Sequence, residues 1–252
     1  MVFSIVQYSI PQGLIGLHTS YGQKMLSEAM VVNKNYALHE LKQIHPTYCG
    51  PASLAFLINA IHAMSYLNLT KELINENDIV FGKQKDFFQH ININETGMTI
   101  ANMSSLAKLL GLNVHSYYTI NQLKPKKKDY DTTKLDAMIK SKEGDISLVK
   151  TKKNVRELLI KNLKNPSSGV IANFNTSLLG YKIKYGHFSP IAAYHKNKDM
   201  FLIMDVWPMT PPAWVKTSRL FKAMATVDSD SNLPRGFLSV KVQIKNNHLN
   251  KP

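Results

Sequence analysis

The chain has 252 residues, of which 44% are hydrophobic and 19% charged, and its formal net charge is +14. These proportions describe an ordinary soluble globular protein with a sizeable core, either one domain over residues 1–252 or two lobes of roughly residues 1–120 and 121–244. The single cysteine excludes an internal disulfide and a Cys-rich metal site, and no run of about 18 apolar residues exists to form a membrane span.

From the N-terminus, residues 1–20 read as irregular, with Pro11, Gly13 and Gly16. The start lacks a basic region, and its apolar stretch is broken by Gln7 and Pro11, so no conventional signal peptide is predicted. The protein is therefore expected in the cytoplasm or exported by a route without a classical signal. Ser20 followed by Gln23 resembles a capping box for a helix through Met30. The polar segment Asn33–Lys42 leads to the only cysteine, Cys49, where a Pro-containing approach becomes an apolar-periodic run. Leu54, Leu57, Ile58 and Ile61 follow the spacing of a half-buried helix, and Pro51 suits its first turn. A short helix is predicted over Thr70–Val80. Another opens at Gly97-Met98-Thr99 and runs to about Leu110, with Leu106, Leu109 and Leu110 on one side and Gly111 as its stop.

Leu112–Tyr118 reads as a strand, residues 121–153 as charged and turn-rich, and Val155–Leu163 as a helix. Much of the positive excess falls between Lys124 and Lys164, beginning with Lys126-Lys127-Lys128. That segment has little arginine and few aromatics to stack bases, so it reads as a solvated lysine face and no nucleic-acid partner is expected. It still favours acidic surfaces or anionic small substrates. Gly169–Phe174 is a buried strand, and a loop from Leu178 to Gly186 carries Lys182 and Lys184. Strands Phe188–Tyr194 and Met200–Val206 are joined by the turn Lys196–Asp199, and Pro208, Pro211 and Pro212 follow the second. Trp214–Met224 is predicted as a helix and Gly236–Ile244 as a final strand. Helices dominate the first half and strands the second, which argues an α+β fold without internal repeats.

The chemistry centres on Cys49, at or just before a helix N-terminus. Unpaired backbone N–H groups and the helix dipole stabilise negative charge there, which suits a thiolate nucleophile. A lone cysteine is more often a small buried hydrophobe. A nucleophile also needs a base within reach and a group that holds the base's tautomer. His187, just before one strand of the hairpin, and Asp205, near the end of the other, fit those roles. Antiparallel pairing brings the two to similar heights. Cys49 and His187 are 138 positions apart, within the ~130–150 that separate cysteine and histidine in papain-type peptidases. His18, His39, His45 and His62 show no zinc-ligand spacing, and His195 with His187 lacks a third metal ligand.

Several segments resemble the phytochelatin synthase family. They are Pro46–Leu54 with Leu57-Ile58-Asn59-Ala60, Gly186–Ile191 with Tyr194, Leu202–Val206, Pro211-Pro212-Ala213-Trp214-Val215, and Arg235-Gly236-Phe237. They occur in the family's order and span about residues 14–240. The resemblance is to the short prokaryotic type, without the Cys-rich C-terminal extension of the plant enzymes, acting mainly as glutathione hydrolases. It implies a papain-like cysteine peptidase fold, with a helical N-terminal part whose nucleophile helix packs against an antiparallel sheet. Cys49, His187 and Asp205 match the family's triad. Gln43, six positions before the cysteine, matches a glutamine that would form the oxyanion hole with the Cys49 backbone N–H. Asp228 and Arg235, seven apart, match the pair that holds the substrate's γ-glutamyl group, and Gly186, in the matched segment before His187, is expected to bind substrate as well. An acid for the ammonium and a guanidinium for the carboxylate suit that zwitterion.

The reaction implied is attack by Cys49 on the Cys–Gly bond of glutathione. Glycine leaves, protonated by His187, and a γ-glutamylcysteinyl thioester remains. Water then gives γ-glutamylcysteine, or a second glutathione gives a phytochelatin. No cofactor bound by the protein is implied; cadmium or zinc would enter as a thiolate complex of the substrate, and a homodimer is an open assembly. The sequence departs from the family beside the acceptor site. The usual arginine two places after Asp205-Val206 is absent from Trp207-Pro208-Met209-Thr210, another is replaced near Thr176, and the loop before His187 becomes Gly180-Tyr181-Lys182-Ile183-Lys184-Tyr185. These changes bear on transfer and acceptor more than on acylation. Two further readings stay open: the same triad acting on glutathione S-conjugates or glutathionylated proteins, and a catalytically silent binding protein.

Overall fold

The computed structural model describes residues 9–65, 73–121, 130–141, 145–182 and 184–242. Lys126–Lys128, residues 70–72 of the helix expected from Thr70, and residues 243–244 of the last expected strand lie outside them.

The strands are β1 (Ile15–Gly16), β2 (Val31–Val32), β3 (Leu112–Thr119), β4 (Asp145–Val149), β5 (Ser168–Asn175), β6 (Gly186–His195), β7 (Met200–Ile203), β8 (Ala213–Lys216), β9 (Val227–Asp228), β10 (Leu233–Pro234) and β11 (Gly236–Val242). Among the described residues, nine of them form one sheet in the order β1-β8-β7-β6-β5-β11-β3-β4, with β2 pairing β6, while β9 and β10 make a separate hairpin. Pairing is antiparallel except between β3 and β4.

The helices are α1 (Ser20–Ser27), α2 (Lys34–Leu38), α3 (Cys49–Ser65), α4 (Glu76–Val80), α5 (Lys85–Phe88), α6 (Ile93–Thr96), α7 (Ile100–Leu109), α8 (Thr132–Lys140), α9 (Lys152–Leu163) and α10 (Thr217–Met224). The fold is α+β, a helical N-terminal part with the cysteine helix laid on a mostly antiparallel sheet. No helix among the described residues is long and apolar enough to cross a membrane.

Alternation along the strands divides the core between the two sheet faces. Ile171 and Leu238 face the cluster that contains α3 and α7. Val170, Ala172, Phe174 and Phe237 face a second cluster built with Val155 and Leu159 of α9 and Leu220 and Phe221 of α10. Helices cover β5 on both sides, so it is buried from Ser168 to Phe174, with Val170-Ile171-Ala172 as its apolar centre. Each fully buried Leu, Ile or Phe contributes roughly 1.5–3 kcal/mol, and the helix at Cys49 is held by several.

The structure corrects several expectations. α3 is not half-buried: Ala52, Leu54, Ala55, Phe56, Leu57, Ala60 and Ile61 are all buried, because the sheet, α2, α4 and α7 surround it. Thr19, not Ser20, caps α1, its hydroxyl accepting the Gly22 N–H at 3.0 Å. α1 stops at Ser27 because Val31 and Val32 join the sheet. Thr99 caps α7 through a capping box with Asn102, and Leu109 is exposed; Met103, Leu106 and Ala107 form the buried face. Within residues 121–153, α8 and the parallel strand β4 emerge. Trp214 lies on β8 rather than a helix, its indole buried and donating to the Gly22 carbonyl at 3.1 Å. α10 starts only at Thr217.

Candidate active site

Cys49 is the first residue of α3, and the loop before it is fastened on two sides. Glu76 Oε1 accepts the backbone N–H groups of Ile44 at 2.8 Å and His45 at 2.7 Å. Lys42 Nζ donates to the carbonyls of Asp205 at 2.6 Å and Thr210 at 2.7 Å, and the Gln43 N–H donates to the Val206 carbonyl at 2.7 Å. The cysteine loop is thereby tied to the segment that carries Asp205. α3 is fixed to β6 by the Ser53 hydroxyl, which donates to the Phe188 carbonyl at 3.2 Å. Gly50 permits close packing on α7, since a Cβ there would lie 2.6 Å from the Met103 sulfur.

β6 opens at Gly186 and places His187 opposite Phe174 of β5. β7 ends at Ile203, and Asp205 follows two residues later, beside the start of β6. His187 Nε2 and Asp205 Oδ1 are 2.9 Å apart, and both residues are buried. Cys49 lies beside His187 in the same cleft and interacts electrostatically with its ring, whose Nδ1 is the nitrogen not engaged by Asp205. Burial alone would lower the imidazole's pKa. The charge and hydrogen bond of Asp205, and then Cys49, outweigh it and push it up to about 10. Burial would raise the Asp205 carboxyl, but His187, the Tyr181 hydroxyl and the Trp207 N–H hold it below the usual range. Trp207 donates to Oδ1 at 2.8 Å, and the Tyr181 hydroxyl donates to Oδ2. Phe174, Tyr185 and Trp207 pack edge-on around the imidazole.

Cys49 and His187 open into a cleft of about 310 Å³, whose lining includes Thr47, Glu95, Met98, Tyr185, Gly186, Asp228, Asp230 and Arg235. Arg235 Nη2 lies 2.9 Å from Asp228 Oδ1, Nη1 donates to the Val227 carbonyl, and Nε has no hydrogen-bond partner among the described residues. Burial lowers the guanidinium's pKa, while Asp228 and Asp230 oppose that. Asp228 is held in turn by the N–H and hydroxyl of Ser231. Gly186 has a steric reason to be glycine: a Cβ would lie 2.7 Å from Arg235 Nη2.

Of the residues singled out from sequence, Cys49, His187, Gly186, Asp228 and Arg235 meet at this cleft, and Asp205 backs His187. Gln43 is buried outside the cleft lining. Its Nε2 donates to the carbonyls of His45 at 2.8 Å and Pro46 at 2.9 Å, and its Oε1 has no partner among the described residues. Both amide hydrogens are thus engaged by the loop itself. Sequence reasoning missed Glu76, Lys42, Tyr181 and Tyr185 as residues that hold or line the site. Only the altered loop before His187 gave a signal, and it concerned the acceptor.

The family model described as Phytochelatin synthase matches residues 5–237. Over 200 residues the chain is 26% identical to glutathione gamma-glutamylcysteinyltransferase 3 of Lotus japonicus, covering 79% of this chain and 35% of that protein, so it spans about a third of that relative's length. A 56-residue stretch is 52% identical to glutathione gamma-glutamylcysteinyltransferase 1 of Triticum aestivum, 22% of this chain and 11% of that protein. Among solved structures, xylellain, a cysteine protease from Xylella fastidiosa, aligns with TM-score 0.44 and 12% identity over 96% of this chain and 94% of that one, a likeness too remote to bear on function. With the family match running from the N-terminal segment to β11, the chain belongs to the phytochelatin synthase family.

Proposed function

We propose that this protein cleaves the Cys–Gly bond of glutathione through a thioester on Cys49. The observation that carries the reading is the buried Asp205–His187 pair beside Cys49, at a cleft that also holds the Asp228–Arg235 pair. His187, held as the imidazolium by Asp205, pairs with the Cys49 thiolate. The thiolate attacks the cysteinyl carbonyl, the C–N bond breaks, and His187 gives its proton to the departing glycine amine. The Cys49 backbone N–H, on the first turn of α3, is one donor for the oxyanion. Gln43 supplies a second only by exchanging a loop carbonyl for it. Asp228 and Arg235 take the α-ammonium and α-carboxylate of the γ-glutamyl head.

Hydrolysis of the thioester then yields γ-glutamylcysteine, and capture by a second glutathione yields (γ-Glu-Cys)2-Gly. A heavy-metal ion enters as cargo on the substrate thiol. Mass spectrometry of products, with and without cadmium, tests the scheme. Glycine with γ-glutamylcysteine establishes cleavage, and longer (γ-Glu-Cys)n-Gly products add the transfer step. Glycine release from bulky S-conjugates but not from free glutathione would reassign the substrate, and no product from either would overturn the scheme.

A further inference from the structure

The carboxylate of Asp205 faces more than His187. One oxygen, Oδ1, accepts from His187 Nε2 at 2.9 Å and from the Trp207 N–H at 2.8 Å. The other, Oδ2, accepts from the phenol of Tyr181, which arrives from the loop preceding β6. That approach is built into the local backbone. The 3-10 turn Thr176–Leu179 ends at Gly180, whose φ of +86° reverses the chain, and a Cβ there would lie 2.4 Å from the Gln12 carbonyl. The next residue is Tyr181, its N–H donating to the Thr176 carbonyl at 3.3 Å. Its ring packs on the cluster under α9 and α10, so ring and hydroxyl have separable tasks. With Asp205 only 2% exposed, Oδ2 would otherwise be a buried charged oxygen without a donor.

We propose that Tyr181 is a positioning residue for the triad, its hydroxyl fixing the carboxylate of Asp205 in the orientation that holds the His187 imidazolium. The proposal rests on the thioester reading of Cys49 and His187. The carboxylate remains ionised because Tyr181 and Trp207 share its charge with His187. Without the phenol hydrogen bond it protonates at higher pH and is free to turn away from the ring. The other ionisable groups facing it are Lys42, which donates to its backbone carbonyl, Tyr185 and, through His187, Cys49.

The test reads the only cysteine directly, by the rate of Cys49 alkylation with iodoacetamide as a function of pH. Tyr181→Phe keeps the ring and removes the hydroxyl. Its acidic limb is expected to move up by about one pH unit, the equivalent of one hydrogen bond to a charged group, with a melting temperature lowered by several degrees but a cooperative unfolding transition retained. Glycine release should fall about tenfold in kcat with little change in KM. In an Asp205→Asn background the same substitution should add nothing. An unmoved limb in folded Tyr181→Phe, or an equal shift in the Asp205→Asn background, would overturn the proposal. Should Tyr181→Phe fail to fold, 3-fluorotyrosine at this position decides, since it keeps the shape and strengthens the donor. A limb moved to lower pH supports the proposal, and an unmoved one overturns it. Alkylation needs no glutathione, so a shifted limb in a protein that releases no glycine would sink the glutathione reading and leave this one standing.

Discussion

The two walls of the cleft are built on opposite plans. On one wall, both oxygens of Asp205 are taken by His187, Trp207 and Tyr181, and the His187 ring is fixed by Asp205 on one side with Cys49 beside it. On the recognition side, buried polar atoms remain without partners among the described residues: Arg235 Nε at the cleft and Gln43 Oε1 behind the cysteine loop. Unsatisfied buried groups are uncommon in folded proteins and cost about 1–3 kcal/mol each. The Asp205–His187 pair is thus fully hydrogen-bonded in the free protein, whereas Arg235 and Gln43 each keep an atom unpaired among the described residues, and on the proposed reading substrate binding rearranges that side of the cleft.

The largest effect that would break this contrast lies at Gln43. If substrate draws its amide away from the His45 and Pro46 carbonyls, Gln43→Ala should lower kcat by about 10²-fold, far more than the few degrees of melting temperature that its two loop hydrogen bonds represent. A lost melting temperature with kcat retained would make Gln43 part of the hydrogen-bonded wall instead. Next in size is Arg235→Lys, which keeps the charge but loses the planar fork. It should raise KM for glutathione about tenfold, with a smaller change in kcat, as measured by initial rates of glycine release.

The smallest effect sharpens the other wall. The folded pKa of His187, about 10, lies above its ordinary 6.5, so its contribution to stability is complete below about pH 6.5 and is lost as pH rises toward 10. Asp205 is shifted the opposite way, and its contribution is lost only as pH falls through its depressed value. The melting-temperature gap between wild type and His187→Gln should therefore be widest near pH 5–6 and narrow steadily above 6.5. A gap that widens across that range would contradict the paired state.

Much of this site is legible in the sequence because it is carried by local signals. The apolar run after Cys49 with Pro51 in its first turn marks a helix start, and the turn at Lys196–Asp199 marks the hairpin that brings His187 toward Asp205. Asp228 and Arg235 meet because β9 and β10 form a hairpin around Ser231 and Asn232. Other features depend on distant partners that no local pattern encodes. Glu76 reads as an ordinary acidic residue inside the helix expected over Thr70–Val80, yet the helix starts at Glu76 itself, which is buried and holds the cysteine loop. Trp214 reads as helical, but pairing with β1 and β7 keeps it extended. Tyr181 lies in a segment noticed only for its departure from the family, and its use becomes visible once Asp205 is seen beside it.

The most direct test of the account is the intact mass of the protein after brief exposure to glutathione and acid quenching. A γ-glutamylcysteinyl adduct is expected that maps to Cys49, is discharged by hydroxylamine, and is absent in Cys49→Ala. An unmodified wild-type protein that nonetheless releases glycine, or an adduct that persists in Cys49→Ala, would contradict the thioester mechanism.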